Sequence, residues 1–233
     1  MATWKASIEV YTREIETGDM TDAQLGVLIA DTVNEWIEKV PLELLYKHAA
    51  ESIDLPNEGI DITDKKIIKV YRDDKLAVLK EFEKKYLFTD TGSLHYASKY
   101  TPVWYIENMG TSEVDDETYE GPYLKIFPLL EGEEKARAYL YSYVDTVTAG
   151  AETTSNIPGV PPRMAPLIVL STAEKVLAHK LGMMVHEEED SEVTQIINVQ
   201  LQHIMKLISE QASRIGIGQE IQNPMTMYTK GQQ

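Results

Sequence analysis

Val193, Ile197, Leu201, Ile204, Ile208 and Ala212 recur at steps of 4, 4, 3, 4 and 4 residues. Steps of that size place all six on one stripe of a 3.6-residue helix, so SEVTQIINVQLQHIMKLISEQAS is expected to be a long helix with one packing face. The segment before it, APLIVLSTAEKVLAHKLGMM, aligns Leu170, Ala173, Leu177 and Leu181 but surrounds them with Leu167, Ile168, Val169 and Val176. A helix apolar around more than one side must be covered on more than one side, which marks it as the central helix of a bundle. Between the two lies HEEED, His186 to Asp190. Acidic side chains there complement the positive end of the following helix, and Asp190 or Ser191 can cap it, so an antiparallel hairpin is expected. A proline-rich stretch, IPGVPPRM, leads into the pair.

The chain has 233 residues, enough to bury a substantial core as one domain with an inserted subregion or as two small domains. With 43% hydrophobic and 26% charged residues it has ordinary globular composition. No apolar run approaches the roughly 18 residues needed to span a bilayer, so no membrane association is expected. The N-terminal MATWKASIEVYTREIETGD has neither a signal-peptide apolar core nor an Arg-rich transit pattern, and the expectation is a protein that is not exported. The absence of cysteine excludes disulfides, thiolate metal sites and cysteine nucleophiles, and suits a reducing compartment. A formal charge of −16, from 38 acidic and 22 basic residues, argues against a surface that grips nucleic acid. It does not argue against nucleic acid passing nearby, since an acidic wall repels a polyanion. On composition alone, a merely soluble surface explains the charge more simply.

Thr21 to Gln24 form a T-x-x-Q capping box, and Leu25, Leu28, Ile29, Thr32, Val33, Trp36, Ile37 and Val40 follow at three- and four-residue steps. This predicts an amphipathic helix. Pro41 either kinks it or opens a second helix, with Leu44, Leu45 and His48 continuing the apolar side to about Ser52. Ile8 to Thr17 has no capping signal and weak periodicity, and reads as an arm or a short helix. From Pro56 the texture changes. Lys66–Arg72, Leu76–Leu79, Val103–Ile106, Tyr123–Pro128 and Ala138–Val144 are short β-branched and aromatic runs bounded by Asp, Gly and Pro, the signals of strands. In the last run Tyr139, Tyr141 and Tyr143 alternate with Ala138, Leu140, Ser142 and Val144, which predicts a tyrosine face. Arg72 to Lys75 reads as a hairpin turn, Leu79 to Tyr86 as a helical turn or strand, and Asp145 to Ser155 as a polar connector. After Arg214 come two glycines and a proline, so an extended tail is expected.

The expected fold is therefore α+β: mainly an α-helical bundle with an inserted β-rich subdomain and an extended tail. The organisation is an arm at 1–20, a bundle at 21–55 with 156–213, a β-rich insertion at 56–155 and a tail at 214–233.

Candidate chemistry is sparse. His179 and His186, followed by Glu187 to Asp190, form an oxygen-rich cluster that could hold a hard cation, but the spacing fits no ligand frame and a solvated helix start explains it better. His48 and His203 sit near apolar stripes, where structural histidines are commoner than catalytic ones. Gly216-Ile217-Gly218 lacks the rest of a dinucleotide fingerprint, and no G-x-S-x-G, phosphate-loop lysine or H-E-x-x-H occurs. No catalytic residue, cofactor or metal is assigned, and a structural or binding role is expected rather than an enzyme. The tyrosine face, with no interleaved basic residues, reads as packed surface or interface rather than a base-stacking platform.

The order of parts resembles the head-to-tail adaptor (connector, or neck) proteins of tailed bacteriophages. The resembling parts are the helix DAQLGVLIADTVNEWIEKV with Trp36 near its end, a variable β-rich insertion, and the strand pair YLKIFPLLEGEEKARAYLYSYVD with Leu124, Ile126 and Pro128. A proline loop and the C-terminal helix pair complete the order. The resemblance covers roughly residues 21–213 and departs in its long 54–118 insertion and N-terminal arm. It implies a virion protein that forms a homo-oligomeric ring, commonly a dodecamer, between the portal protein and tail or neck proteins. DNA then passes through the channel without specific binding, and acidic walls that offer phosphates no cation suit that passage. It also implies that the tail docks on the portal ring through Ile215, Ile217, Ile221, Met225, Met227 and Tyr228, ordering on binding. Other neck, tail-completion or capsid-associated proteins, and a cytoplasmic helical regulator acting through the tyrosine face, are the competing readings.

Overall fold

The computed structural model describes residues 2–13, 15, 20–48, 50–109, 113–114, 117–118, 121–150, 160–186 and 191–217. The chain divides into two compact units, Met1–Pro41 with Val144–Gln233, and Leu42–Tyr143. The first is built of helices and the second mostly of strands, so the fold is α+β. It is not mainly a helical bundle: eight of the ten described strands form two four-stranded sheets with a core of their own, and the other two pair with each other. Long 3.6-residue periods announce themselves over twenty residues, whereas short strands do not, and this weighted the sequence reading towards helix.

In the helical unit, α5 (Ala165–His186) is the central element, packed against by α1 (Trp4–Thr12), α2 (Asp22–Lys39) and α6 (Ser191–Ile215). Its sequence requires this, since Leu167, Ile168, Val169, Leu170, Ala173, Val176 and Leu177 are all buried. On α6 only the narrow stripe Ile197, Ile204 and Ala212 is buried, with Leu201 and Ile208 half-buried and Val193 exposed. The stretch expected to be an arm is in part α1, capped by Thr3, whose hydroxyl accepts from the Ala6 N–H, and it buries Trp4 and Ile8 completely. Helix α2 begins with the expected capping box: Thr21 Oγ1 accepts from the Gln24 N–H at 3.3 Å and the Thr21 N–H donates to Gln24 Oε1 at 2.9 Å. Gly26 on α2 allows close approach of the 145–150 segment. A Cβ there would lie 2.0 Å from the Val147 carbonyl oxygen, so no larger residue fits. Asn34 then fixes the same segment by donating to the Val144 carbonyl at 2.8 Å and accepting from its N–H at 3.0 Å.

After Pro41 a second helix opens, α3 (Leu42–His48), followed by β1 (Glu51–Asp54), β2 (Ile60–Asp61), β3 (Lys65–Arg72), β4 (Lys75–Leu76) and β5 (Val78–Leu79). A 3-10 turn and α4 (Lys85–Thr89) precede β6 (Val103–Met109), β7 (Glu113–Val114), β8 (Glu117–Thr118), β9 (Gly121–Phe127) and β10 (Ala136–Ser142). One sheet has the order β1-β10-β3-β4 and the other β2-β9-β6-β5, all antiparallel except β5 with β6. Their facing sides share a core of Leu55, Ile62, Val70, Ala77, Leu124, Ile126, Ala136, Ala138 and Leu140. Strand β6 alternates as a half-buried strand should: Trp104 packs on that core, while Val103 and Tyr105 face a satellite cluster with Phe88 and Ala97. The change of texture at Pro56 thus falls inside the second unit, which already contains α3 and β1. Strands β9 and β10, expected to pair, lie instead in facing sheets. The 128–135 connection is held on β3 by Arg72, which donates to the Pro128 and Leu129 carbonyls and to Glu134.

Candidate functional site

In the helical unit a buried polar contact joins α2 to α5. Trp36 near the end of α2 is 7% exposed, and its indole Nε1–H donates to Ser171 Oγ on α5 at 2.8 Å. One turn further along α5, Lys175 reaches Glu35 at 2.8 Å. The tryptophan of the N-terminal helix therefore sets the register of α2 on the first helix of the C-terminal pair. Because α6 gives only its narrow stripe to α5, it leaves Val193, Ile196 and Val199 exposed along one flank of that stripe and Met205 exposed on the other.

At its C-terminus α6 closes with a reverse turn. Gly216 adopts φ 88°, the Ile217 N–H donates to the Ala212 carbonyl at 3.0 Å and the Gly216 N–H to Ser213 at 3.1 Å. This is the glycine-dependent cap that satisfies the last carbonyls and folds the following apolar side chain back on the helix. Ile217 is 4% exposed and Ile215 is half-buried. The docking set read from the sequence is thus divided. Ile217 is used within its own chain, Ile215 is the last helical residue, and Ile221, Met225, Met227 and Tyr228 lie outside the described residues. The glycine pair signalled the helix end, but not that the residue between the glycines turns inward.

The tyrosine face is largely covered: Tyr141 is buried, Tyr139 and Tyr143 are half-buried, and the Tyr141 and Tyr143 rings meet edge-on at 6.1 Å. The register of β10 on β3 shifts between Tyr139 and Leu140, where β3 carries one extra residue, Ile68, while β10 keeps its alternation, with Ala136, Ala138 and Leu140 in the shared core. Tyr141 is 1% exposed, and burial pushes its phenol up to about 12. Tyr139 stays on the outer side of the sheet, edge-on to Tyr46 at 4.9 Å and Tyr71 at 5.8 Å, with Lys69 Nζ 4.4 Å from the Tyr46 ring centre. A basic residue thus accompanies the aromatics, from a different strand than the one read. Arg137, Lys135, Asp73 and Asp74 line the open hollow beside them, of about 550 Å³.

His179 and His203 are exposed, and the side chains of His48 and His186, like residues 187–190, lie outside the described residues. Among the described residues no group of three His, Asp or Glu side chains could hold a metal ion, and no helix is long and apolar enough to cross a membrane. What the arrangement offers is surface: an exposed α6 flank, the end of α6, and sheet ends of the β unit that are unpaired among the described residues. No family model, curated protein or solved structure matches this chain.

Proposed function

We propose that the chain is a head-to-tail adaptor of a tailed bacteriophage, a structural virion protein that forms a ring between portal and tail through which the genome passes. The observation that carries this is the Trp36–Ser171 contact. It joins the two sequence halves on which the resemblance rests, the Trp-bearing N-terminal helix and the C-terminal pair, in one helical unit, with the β-rich part inserted between them. The charge of −16 agrees with it, since carboxylates along a channel give phosphates nothing to pair with. In this reading the apolar side chains beyond Ile217, at Ile221, Met225, Met227 and Tyr228, dock on the portal, with Ile217 as the hinge point fixed to α6. The partners are the portal ring, a tail or neck protein and further copies of the chain, and no cofactor takes part.

The test is to mix the full chain with portal rings from the same phage genome and follow co-sedimentation, then view the pellet by negative-stain microscopy. An extra annulus on one face of the portal, appearing only with the chain, is the expected result. A chain that stays in the supernatant at every ratio overturns the reading.

A further inference from the structure

The two four-stranded sheets end at the same two places. Strands β1 and β2, joined by 55–59, form one end of each sheet, and β4 and β5, separated by Ala77 alone, form the other. Among the described residues neither end is paired further. At the second end Ala77 N–H donates to Val70, Val78 N–H to Pro102 and Lys80 N–H to Trp104. Alternation along a strand therefore turns the peptide groups of Leu76 and Leu79 outward. At the first end the Leu55 N–H donates inward to Ala136, so the peptide groups of Ser52 and Asp54 face out.

The side chains at the two ends are complementary. The run KLAVLK exposes Leu76 by 54%, Val78 by 56% and Leu79 by 56%, with Lys75 and Lys80 at its limits. A sheet edge meant to stay free carries charge along its length, whereas this one concentrates apolar surface between two lysines. The opposite end, residues 50–64, carries Glu51, Asp54, Glu58, Asp61 and Asp64 and no Lys or Arg. We propose that a second copy of this chain docks here, its β1–β2 end against the β4–β5 end of the first, so that both sheets continue across the contact. A single foreign strand could extend one sheet only. The end of another β unit presents two strands already spaced to meet two, with carboxylates for the lysines. Like ends cannot meet as well, because they would set Lys75 and Lys80 against their own kind. Each copy uses both ends, so the contact is head-to-tail and propagates into a ring or a filament. The inference stands on the β unit alone and does not rest on the adaptor reading.

The native chain has no cysteine, which makes cross-linking clean. Within one copy Ser52 and Leu76 are on opposite outer strands of a four-stranded sheet, about 14 Å apart at about 4.8 Å per strand, beyond the reach of a disulfide. Leu76→Cys and Ser52→Cys full-length variants are oxidised separately and mixed, over a concentration series, and run on non-reducing gels. The expected result is dimer in the mixture, none in either alone, and a ladder from a chain carrying both changes, lost when Leu79→Lys is added without a change in melting temperature. Cross-linking of Leu76→Cys with itself would show a two-fold contact and overturn the proposal, as would no cross-link in the mixture at any concentration. A ladder from a chain that ignores portal rings would sink the adaptor reading and leave this contact standing.

Discussion

The Trp36 side chain has one polar atom to satisfy, and its partner is a serine hydroxyl on α5. Ser171 is itself 6% exposed, so neither group can turn to water. Ser171→Ala should leave the indole N–H buried and unpaired, lowering unfolding free energy by about 1 to 3 kcal/mol in a urea titration. Tyr141 presents the opposite case. Its hydroxyl is buried with no hydrogen-bond partner among the described residues, and its pKa is raised to about 12 by burial alone. A phenol at its ordinary value near 10 ionises in the unfolded chain first, so between pH 10 and 12 the native state holds the extra proton. Stability is then fully present below pH 10 and falls as pH rises through about 12, by roughly 3 kcal/mol at the upper end. Tyr141→Phe should be nearly neutral in melting temperature at pH 7 and should remove that part of the alkaline loss, checked by thermal melts of both proteins across the range.

At the scale of elements, the β unit depends on one buried cation. Arg72 is 2% exposed at the end of β3 and holds the 128–135 connection through two carbonyls and Glu134, whose carboxyl is kept below its usual range by the Glu131 N–H and then by Arg72. Arg72→Met keeps the volume but strands both carbonyls, and should cost about 3 kcal/mol, with Glu134→Gln milder because its amide oxygen can still accept from Arg72 and from the Glu131 N–H. Thermal melts of the two variants side by side check the order. None of this clamp was legible in the sequence, where Arg72 reads as the polar start of a hairpin turn. What was legible follows period and caps: α2 from its T-x-x-Q box, α5 from its all-round apolar surface, α6 from its stripe, and the strands at 66–72, 103–106 and 123–128. What was hidden depends on contacts distant in sequence. Helix α1 is short and weakly patterned, and is placed by Trp4 and Ile8 on a helix some 160 residues away. Leu76 to Leu79 reads as one strand because nothing local marks Ala77 as the corner between two sheets. The burial of Tyr141 is invisible to a period-2 pattern, which marks a face but not what covers it.

For the whole molecule the question is where the helical unit ends and the segment proposed to dock on the portal begins. Composition put that boundary at Arg214, where glycines appear. The cap at Gly216 moves it, because Ile217 is buried and its N–H closes the last turn of α6 on Ala212. A chain cut after Ser213 loses Ile215, the φ 88° glycine and the buried Ile217, and should melt several degrees lower from the lost cap and apolar contacts, together about 2 to 4 kcal/mol. A chain cut after Ile217 keeps all of these and should melt like the parent. It nevertheless lacks Ile221, Met225, Met227 and Tyr228, the apolar side chains proposed to dock on the portal. Ordering such a segment costs about 1 to 2 kcal/mol of backbone entropy per residue, which only burial in a partner groove can offset. The longer truncation should therefore separate folding from assembly: unchanged melting, unchanged disulfide ladders between sheet ends, and no co-sedimentation with portal rings. Normal ring binding by that chain would place the docking surface elsewhere, with the exposed flank of Val193, Ile196 and Val199 on α6 the next to be changed.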